Sequence, residues 1–193
     1  MSNLVLSRNL AFISAILSFF VLPANAEAPQ GWLLAGSNPG AYEVGKISTD
    51  GASFAAYLKS SEANPTGFGT LMQQFPARSY LGQRLKLSDQ VKATQVIGWS
   101  GLWMRIDGPG RRRLGFDNMQ SRPIVGTTEM STYEIVLDVP EESELIAFGV
   151  LLAGGGEVLL DNIRFEAVDD SVSVTGSLAP TPPSEPSNLD FED

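Results

Sequence analysis

Neither histidine nor cysteine occurs anywhere in the 193-residue chain. Histidine is the usual general base and the commonest metal ligand, so its absence excludes the ordinary catalytic triads and zinc sites. Without cysteine no disulfide can form, and stability must come from apolar burial and backbone pairing. The lack of cysteine also leaves no attachment point for a lipid at a processed amino terminus.

Other catalytic signatures are missing as well. No Gly-x-Ser-x-Gly motif occurs, and no motif supplies the alternative base that a serine nucleophile would then need. Asp107 and Asp117 are the remaining candidates, since a glycosidase needs two carboxyl groups roughly 5 to 9.5 Å apart. Acidic residues are so numerous that such pairs arise by chance, and we predict that the protein is not an enzyme.

Only one long apolar run is present, from Leu10 to Leu22 near the amino terminus. Arg8 precedes this run, and Pro23-Ala24-Asn25-Ala26 follows it as a small-residue cleavage site. The run is shorter than the roughly 20 residues of a spanning helix, which disfavours a membrane anchor. The pattern therefore predicts that residues 1–26 are a cleaved export signal and that the mature chain is soluble in the periplasm or outside the cell.

Positive charge is scarce. The formal net charge is −9, which argues against a nucleic-acid partner because phosphate binding requires a basic surface. Residues 169–193 carry six acids and no base, together with prolines from Pro180 to Pro186. This composition predicts a disordered acidic, proline-rich tail. The alternative is a short docking segment through Leu189 and Phe191.

Residues 27–168 are predicted to form one domain. Between Gly31 and Val168 apolar residues recur in twos, and glycine, proline, asparagine or aspartate interrupts them every eight to twelve residues. This spacing is typical of strands and turns in sandwiches and barrels. Gly154-Gly155-Gly156 joins two strong strands, and we interpret it as a hairpin turn. The predicted strands are Trp32–Ala35, Tyr42–Ile47, Ser53–Lys59, Gly69–Phe75, Arg84–Lys92, Gln95–Ile106, Tyr133–Asp138, Leu145–Leu152 and Glu157–Ala167.

The pattern of these strands indicates two stacked sheets. The segment Leu145–Leu152 is apolar on both sides, as a central strand buried on both faces would be. In the preceding strand Ile135 and Leu137 oppose Glu134 and Asp138, which gives one dry face and one wet face. Packing the dry faces together makes an all-β, two-sheet antiparallel sandwich.

The last third of the chain carries the most specific pattern. Three segments, Tyr133–Pro140, Ile146–Leu152 and Gly156–Phe165, together with the upstream Tyr80–Ser88, resemble the strands of galactose-binding-like jelly rolls. That fold is shared by many carbohydrate-binding modules. The resemblance covers about residues 31 to 168 and implies a fold more directly than an activity. It also implies that a ligand would lie on the concave face of the jelly roll.

The strand Gln95–Ile106 offers candidate ligand-binding residues. Trp99 and Trp103 fall on one side of it, about 13 Å apart at roughly 3.3 Å per residue, with Gly101 between them. Two indoles at this spacing can stack on sugar rings, and nearby polar side chains can bind hydroxyl groups. The alternative is that both tryptophans are core residues. The polar candidates are Arg105, Asp107, Asp117 and Asn118.

Two further sites are open at this point. Modules of the resembled fold often hold one calcium ion between a carboxylate of an early strand and the aspartate of the last strand, and Glu43 and Asp161 occupy comparable places. A structural calcium ion is thus an expectation, against metal-free solvated side chains. Arg111-Arg112-Arg113 can grip a sulfate, phosphate or uronic carboxylate, or form an ordinary solvated charge run.

These observations predict an exported, non-catalytic binding domain that recognises an envelope or extracellular glycan through Trp99, Trp103, Arg105 and Asp107. The alternative is an envelope structural or protein-interaction domain without a small ligand, in which the tryptophans are core. The sequence determines neither the glycan nor the oligomeric state.

Overall fold

The computed structural model describes residues 27–49 and 53–178. The predicted export signal and the last fifteen residues lie outside this part of the chain. Ten strands and three short 3-10 turns make up the regular structure of the described residues, which contain no α-helix and no helix able to span a membrane. The strands are β1 (Leu33–Gly36), β2 (Tyr42–Ser48), β3 (Phe54–Ser60), β4 (Phe68–Pro76), β5 (Gln83–Asp107), β6 (Arg113–Asp117), β7 (Ile124–Val139), β8 (Leu145–Ala153), β9 (Glu157–Val168) and β10 (Ser177–Leu178).

The long strand β5 belongs to both layers of the sandwich. Its first half pairs with β7 on one side and β9 on the other, and β9 continues the first layer through β3 to β2. Its second half pairs with β8 and β6, and β4 and β1 extend the second layer beyond β8. All of these pairings are antiparallel. The predicted all-β antiparallel architecture is confirmed.

Positive φ angles mark the point where β5 passes from one layer to the other. Gln95 has φ 51° and Gly98 has φ 101°, a region that glycine enters without steric cost. A Cβ at Gly98 would lie 2.3 Å from the carbonyl oxygen of Ala153, so the chains approach closely only because this residue is glycine. The two predicted strands Arg84–Lys92 and Gln95–Ile106 therefore form one bent strand, because Ala93 and Thr94 between them also pair with neighbouring strands.

The main core lies between the two layers. One side of β5 contributes Leu102, Met104 and Ile106, and the first layer contributes side chains such as Leu58 and Leu87. Burying one aliphatic side chain of this size is worth about 1.5–3 kcal/mol. An aromatic cluster closes one region of the core with edge-to-face contacts, and its members are Trp32, Phe75, Phe148 and Phe165.

Strand β8 is buried on both faces, as its sequence predicts. Ile146, Phe148 and Val150 enter the main core, while Ala147 and Leu151 join a second, smaller apolar cluster on the outer face of the layer. The glycine triplet connects β8 to β9 as predicted. The short strand β6 and the first half of β7 were not predicted, because β6 has only five residues and the first half of β7 is mostly exposed.

The prediction of disorder after Val168 is wrong for residues 169–178. Arg84 donates hydrogen bonds to the carbonyl oxygens of Asp170 and Val172, at 3.0 and 2.9 Å. The N–H of Thr175 donates to the carbonyl of Val136, and β10 pairs with β6. This segment is held through backbone groups, which composition does not reveal. The remaining predicted tail lies outside the described residues.

A candidate ligand-binding groove

The outer face of β5 forms the floor of a groove. Trp99, Trp103 and Arg105 lie on this face, whereas residues of the opposite parity enter the main core, because successive side chains of a strand alternate. The β8 residues paired with these three are small: Ala153, Gly149 and Ala147. Because these three β8 residues are small, the space above β8 is open. The large side chains of Trp99, Trp103 and Arg105 on β5 border this space.

The groove has a volume of about 760 Å³. Trp103, Leu151 and Ala153 line it from below, and larger side chains, including Trp99, Met72 and Phe116, stand around them. Its polar lining comes from Arg105, Asn118 and Thr70. An apolar surface bordered by a few polar groups is the usual composition of a small-ligand site.

Trp103 is fixed in place and only 8% exposed. Its Nε1–H donates to the Thr70 hydroxyl at 2.7 Å, and that hydroxyl donates to the carbonyl of Val150 at 2.7 Å. A buried indole normally needs such a partner. Trp99 is half-buried, and its indole N–H has no hydrogen-bond partner within the described chain. Trp99 is therefore the more accessible of the two indoles, and Trp103 forms a rigid floor.

Arg105 is held by Asp107. The guanidinium Nε lies 2.9 and 3.0 Å from the two Asp107 carboxylate oxygens, and Nη2 lies 2.9 Å from Oδ2. Asp107 is buried and does not line the groove, whereas the Arg105 side chain is 43% exposed and does. Asp107 thus orients Arg105. The two side chains form the bidentate pair that carboxylate and guanidinium groups favour.

Asp117 does not face the groove, which corrects the sequence prediction. It pairs with Met104, a core residue, and directly opposed residues of an antiparallel pair share one face. Arg122 donates to both Asp117 carboxylate oxygens, at 3.2 and 2.6 Å. Burial by itself raises the pKa of Asp117, but hydrogen bonds from Arg122, Thr175 and the Met119 N–H outweigh it and lower that pKa.

Asn118, the next residue, does line the groove. The loop that follows packs over Gly101, because a Cβ there would lie 2.9 Å from the Met119 Cβ. Since Asp107 and Asp117 lie on opposite faces of one layer and each binds an arginine, they do not form a carboxylate pair across a shared cleft. The glycosidase arrangement considered from the sequence is thus absent from these two residues.

The register separates the two predicted calcium ligands. Glu43 pairs with Lys59, while Leu160, next to Asp161, pairs with Ala56 at the other end of β3. The two acids are thus about four residues apart along the strands, or roughly 13 Å. Glu43 and Asp161 do not come together to ligate one ion. Among the described residues, no group of three or more acidic side chains is placed to hold a metal.

A buried carboxyl group that sequence reasoning missed lies in the first layer. Asp89 is 1% exposed, at a core-facing position of β5 between Leu87 and Val91. Neither carboxyl oxygen accepts a hydrogen bond of normal geometry within the described chain. The N–H groups of Asp161 and Gln90 are close enough to lower its pKa, but burial dominates and raises the pKa to about 8.

The local fold explains how Asp89 is accommodated. The β5–β9 register shifts between Ser88 and Gln90, and Asn162 opposite the shift has φ 68°. The extra residue of this bulge lies on β9, so Asp89 has no direct partner on that strand. A small cavity of about 140 Å³ adjoins Asp89 and is lined also by Arg164. The signal in the sequence was a single acid on an otherwise apolar face.

The three consecutive arginines Arg111, Arg112 and Arg113 have different environments. Arg112 pairs with Glu142 at 3.4 Å. The guanidinium of Arg113 lies 5.3 Å from the ring centroid of Phe116, a groove residue. Arg111 is exposed with φ 61°, so it stands on the turn without a fixed contact among the described residues.

Solved structures share this architecture. The family 22 xylan-binding module of Paenibacillus barcinonensis Xyn10C superposes with a TM-score of 0.51, at 12% identity over 75% of this chain and 90% of that one. The chain has the fold of a carbohydrate-binding module. The family 22 and family 10 modules of Clostridium thermocellum Xyn10B give a TM-score of 0.50 at 12% identity, over 71% of this chain and 26% of that one.

This module fold also occurs inside larger enzymes. The enzymatically active domain of tailspike protein 4 from bacteriophage CBA120 matches with a TM-score of 0.51 at 14% identity, over 72% of this chain but 20% of that one. Identities this low establish the fold alone. No protein-family model matches the chain.

A relative found by sequence is named as a transcriptional regulator and not as a carbohydrate-binding module. The uncharacterized HTH-type transcriptional regulator YbfP of Bacillus subtilis (strain 168) is 46% identical over 168 residues, which is 85% of this chain and 57% of the relative. The chain therefore spans little more than half of that relative's length. A helix-turn-helix requires two helices, and no α-helix occurs in residues 27–49 or 53–178.

Proposed function

We propose that the chain is an exported, non-catalytic domain that binds a glycan in the groove on the outer face of β5. One observation carries the proposal: a groove of about 760 Å³ with Trp103 immobilised in its floor and Trp99 beside it. The shared fold supports it, because solved modules with this architecture include a xylan-binding domain.

The chemistry of the groove suits a sugar ring. Aromatic faces offer apolar contact to the C–H faces of a ring, and Nη1 of Arg105 and the side-chain N–H groups of Asn118 are available for hydroxyl groups. Because Thr70 and Asp107 already hold Trp103 and Arg105, little side-chain freedom is lost on binding. Trp99 supplies the accessible ring.

No catalytic role is assigned to Asp107 or Asp117. Each is bound by an arginine, and the two lie on different faces of the layer. A glycosidase needs its two carboxyl groups on either side of one bound sugar, and these two do not share a cleft.

Substitution of Trp99 tests the proposal. The purified chain is screened on a glycan array, and hits are measured by calorimetry. We expect Trp99→Ala to weaken binding about tenfold or more, because a tryptophan anchor is commonly worth at least 1–2 kcal/mol. Phe54→Ala is the matched control, since Phe54 is a 62% exposed aromatic residue on the other layer.

Unchanged affinity in Trp99→Ala would refute the groove as the binding site. If no glycan binds the wild-type chain at all, the alternative of a structural or protein-interaction domain replaces the proposal. A second candidate follows from the 46% identical relative named as a regulator: the same groove would then sense a small ligand for a regulatory protein. A free mono- or disaccharide binding as tightly as a polymer would favour it.

A further inference from the structure

We infer that the ligand of the groove carries an anionic substituent, a carboxylate or a sulfate, which Arg113 and Arg105 bind at one end of the groove. This inference rests on the proposed function and names the class of glycan. Among the arginines near the groove, Arg105 and Arg112 are ion-paired within the described residues and Arg113 is not.

Arg113 borders the groove at the end where Arg105 lies. Arg113 pairs with Asp107 across β5 and β6, and Arg105 pairs with Phe116. Directly paired residues have Cβ atoms about 4.5–5.5 Å apart. The Arg113 guanidinium stacks on the ring of Phe116, which itself lines the groove. Both guanidinium groups therefore stand on the same side of the layer, at the same end.

The positive charge of Arg113 is not used within the described chain. Arg105 binds Asp107 and Arg112 binds Glu142, whereas Arg113 makes no ion pair with any described acid. Arg113 thus stands beside the groove with its charge unpaired, next to the ring of Phe116.

The unpaired guanidinium of Arg113 stands out because the protein as a whole is acidic. The whole chain carries a formal net charge of −9. A neutral ligand would gain only ordinary hydrogen bonds to its hydroxyl groups from an unpaired guanidinium beside the groove. A carboxylate or sulfate would form bidentate, charge-assisted hydrogen bonds with it, in a geometry that guanidinium groups match.

Stacking on Phe116 prepares Arg113 for this role. The cation–π contact holds the guanidinium near the groove without occupying its N–H groups. Arg105 contributes in a similar way, because Nε and Nη2 bind Asp107 while Nη1 has no partner among the described residues. Donors from two neighbouring strands thus converge on the same place.

Matched ligands test the inference. Affinities are measured by calorimetry for oligogalacturonate and its methyl ester, and for a sulfated agar-type oligosaccharide and its desulfated form. Within each pair the sugar chain is the same, and one member lacks the negative charge. We expect the anionic member of at least one pair to bind about five- to tenfold more tightly, and the advantage to shrink at about 0.5 M salt because the interaction is then screened.

Arginine variants assign the effect to residues. Arg113→Gln should remove most of the preference for the anionic member. Arg112→Gln should keep it, because Arg112 is already paired with Glu142 on the same loop. Both residues are exposed, and equal melting temperatures would verify that the fold is intact.

Each outcome bears on one of the two proposals. Equal binding of the charged and uncharged members, abolished by Trp99→Ala, would overturn this inference and leave glycan binding standing. A preference that Arg113→Gln and Arg112→Gln reduce equally would overturn the assignment to Arg113. If neither these ligands nor any glycan of the array binds the wild-type chain, both proposals fail together.

Discussion

Replacing Asp89 with asparagine should stabilise the protein at neutral pH. The Asp89 carboxyl has a pKa of about 8 in the folded chain against 3.8 for the unperturbed group, since burial disfavours its charged form. An asparagine side chain does not ionise, and it has nearly the same shape as the aspartate side chain. Asp161 and Arg164 are the charged neighbours that β9 brings to this place.

The magnitude follows from proton linkage. Between pH 4 and 8 the unfolded chain releases the Asp89 proton while the folded chain keeps it, so stability falls as pH rises. At pH 7 the difference is 7 minus 3.8, or 3.2 pH units, and about 1.36 kcal/mol per unit gives about 4 kcal/mol. Burying an asparagine amide costs about 1–3 kcal/mol, so we expect a net gain of about 1–3 kcal/mol.

The assay is urea unfolding of wild type and Asp89→Asn at pH 5, 7 and 9. The stability advantage of the variant should grow by about 3 kcal/mol from pH 5 to pH 7, since two pH units are involved. Asp170→Asn is the control, because its side chain is almost fully exposed. Parallel pH profiles of wild type and Asp89→Asn between pH 5 and 8 would refute the reasoning.

Three further substitutions test the groove and its supports. Thr70→Val should cost about 1–3 kcal/mol in urea unfolding, because it strands the buried Trp103 indole N–H. Arg122→Gln should lower the free energy of unfolding by about 2 kcal/mol at neutral pH. Because Asp117 has a lowered pKa in the folded protein, its ion pair stabilises the fold above about pH 4. The difference between wild type and the variant should therefore shrink as the pH falls below about 4. Gly101→Ala should cost about 1–3 kcal/mol and weaken ligand binding, because its Cβ would displace the loop after Asn118.

Their controls use sites without these contacts. Gly40→Ala should be nearly neutral, since a Cβ there meets nothing within 4 Å. An acid-unfolding midpoint equal to wild type in Arg122→Gln would contradict the account of the ion pair. A Thr70→Val protein as stable as wild type, or a Gly101→Ala protein with unchanged affinity, would show that the corresponding contact is not required.

The two faces of β5 were readable from the sequence. Alternation placed Trp99, Trp103 and Arg105 opposite Leu102, Met104 and Ile106, and the structure has the same partition. The double burial of β8 was equally clear, because Ile146 through Leu152 are apolar at both parities. A strand's own side chains carry this information, so no partner strand is needed to predict it.

Residues outside a regular alternation were placed wrongly. Asp117 was assigned to the ligand, but the register with Met104 turns it toward the core. Glu43 and Asp161 resembled a metal pair, and the ladder through β3 separates them. Residues 170 and 172 looked like the start of a tail, yet Arg84 binds their carbonyl groups.

The sequence by itself determined most of the strands, their dry faces and the absence of histidine and cysteine chemistry. Tertiary structure alone decided that small β8 residues would lie beside the indoles, that Arg113 would stack on Phe116, and that Asp89 would be buried without a full partner. The reason is physical: period-two alternation is local to a strand, whereas register, bulges and cross-strand neighbours depend on segments far apart in the chain.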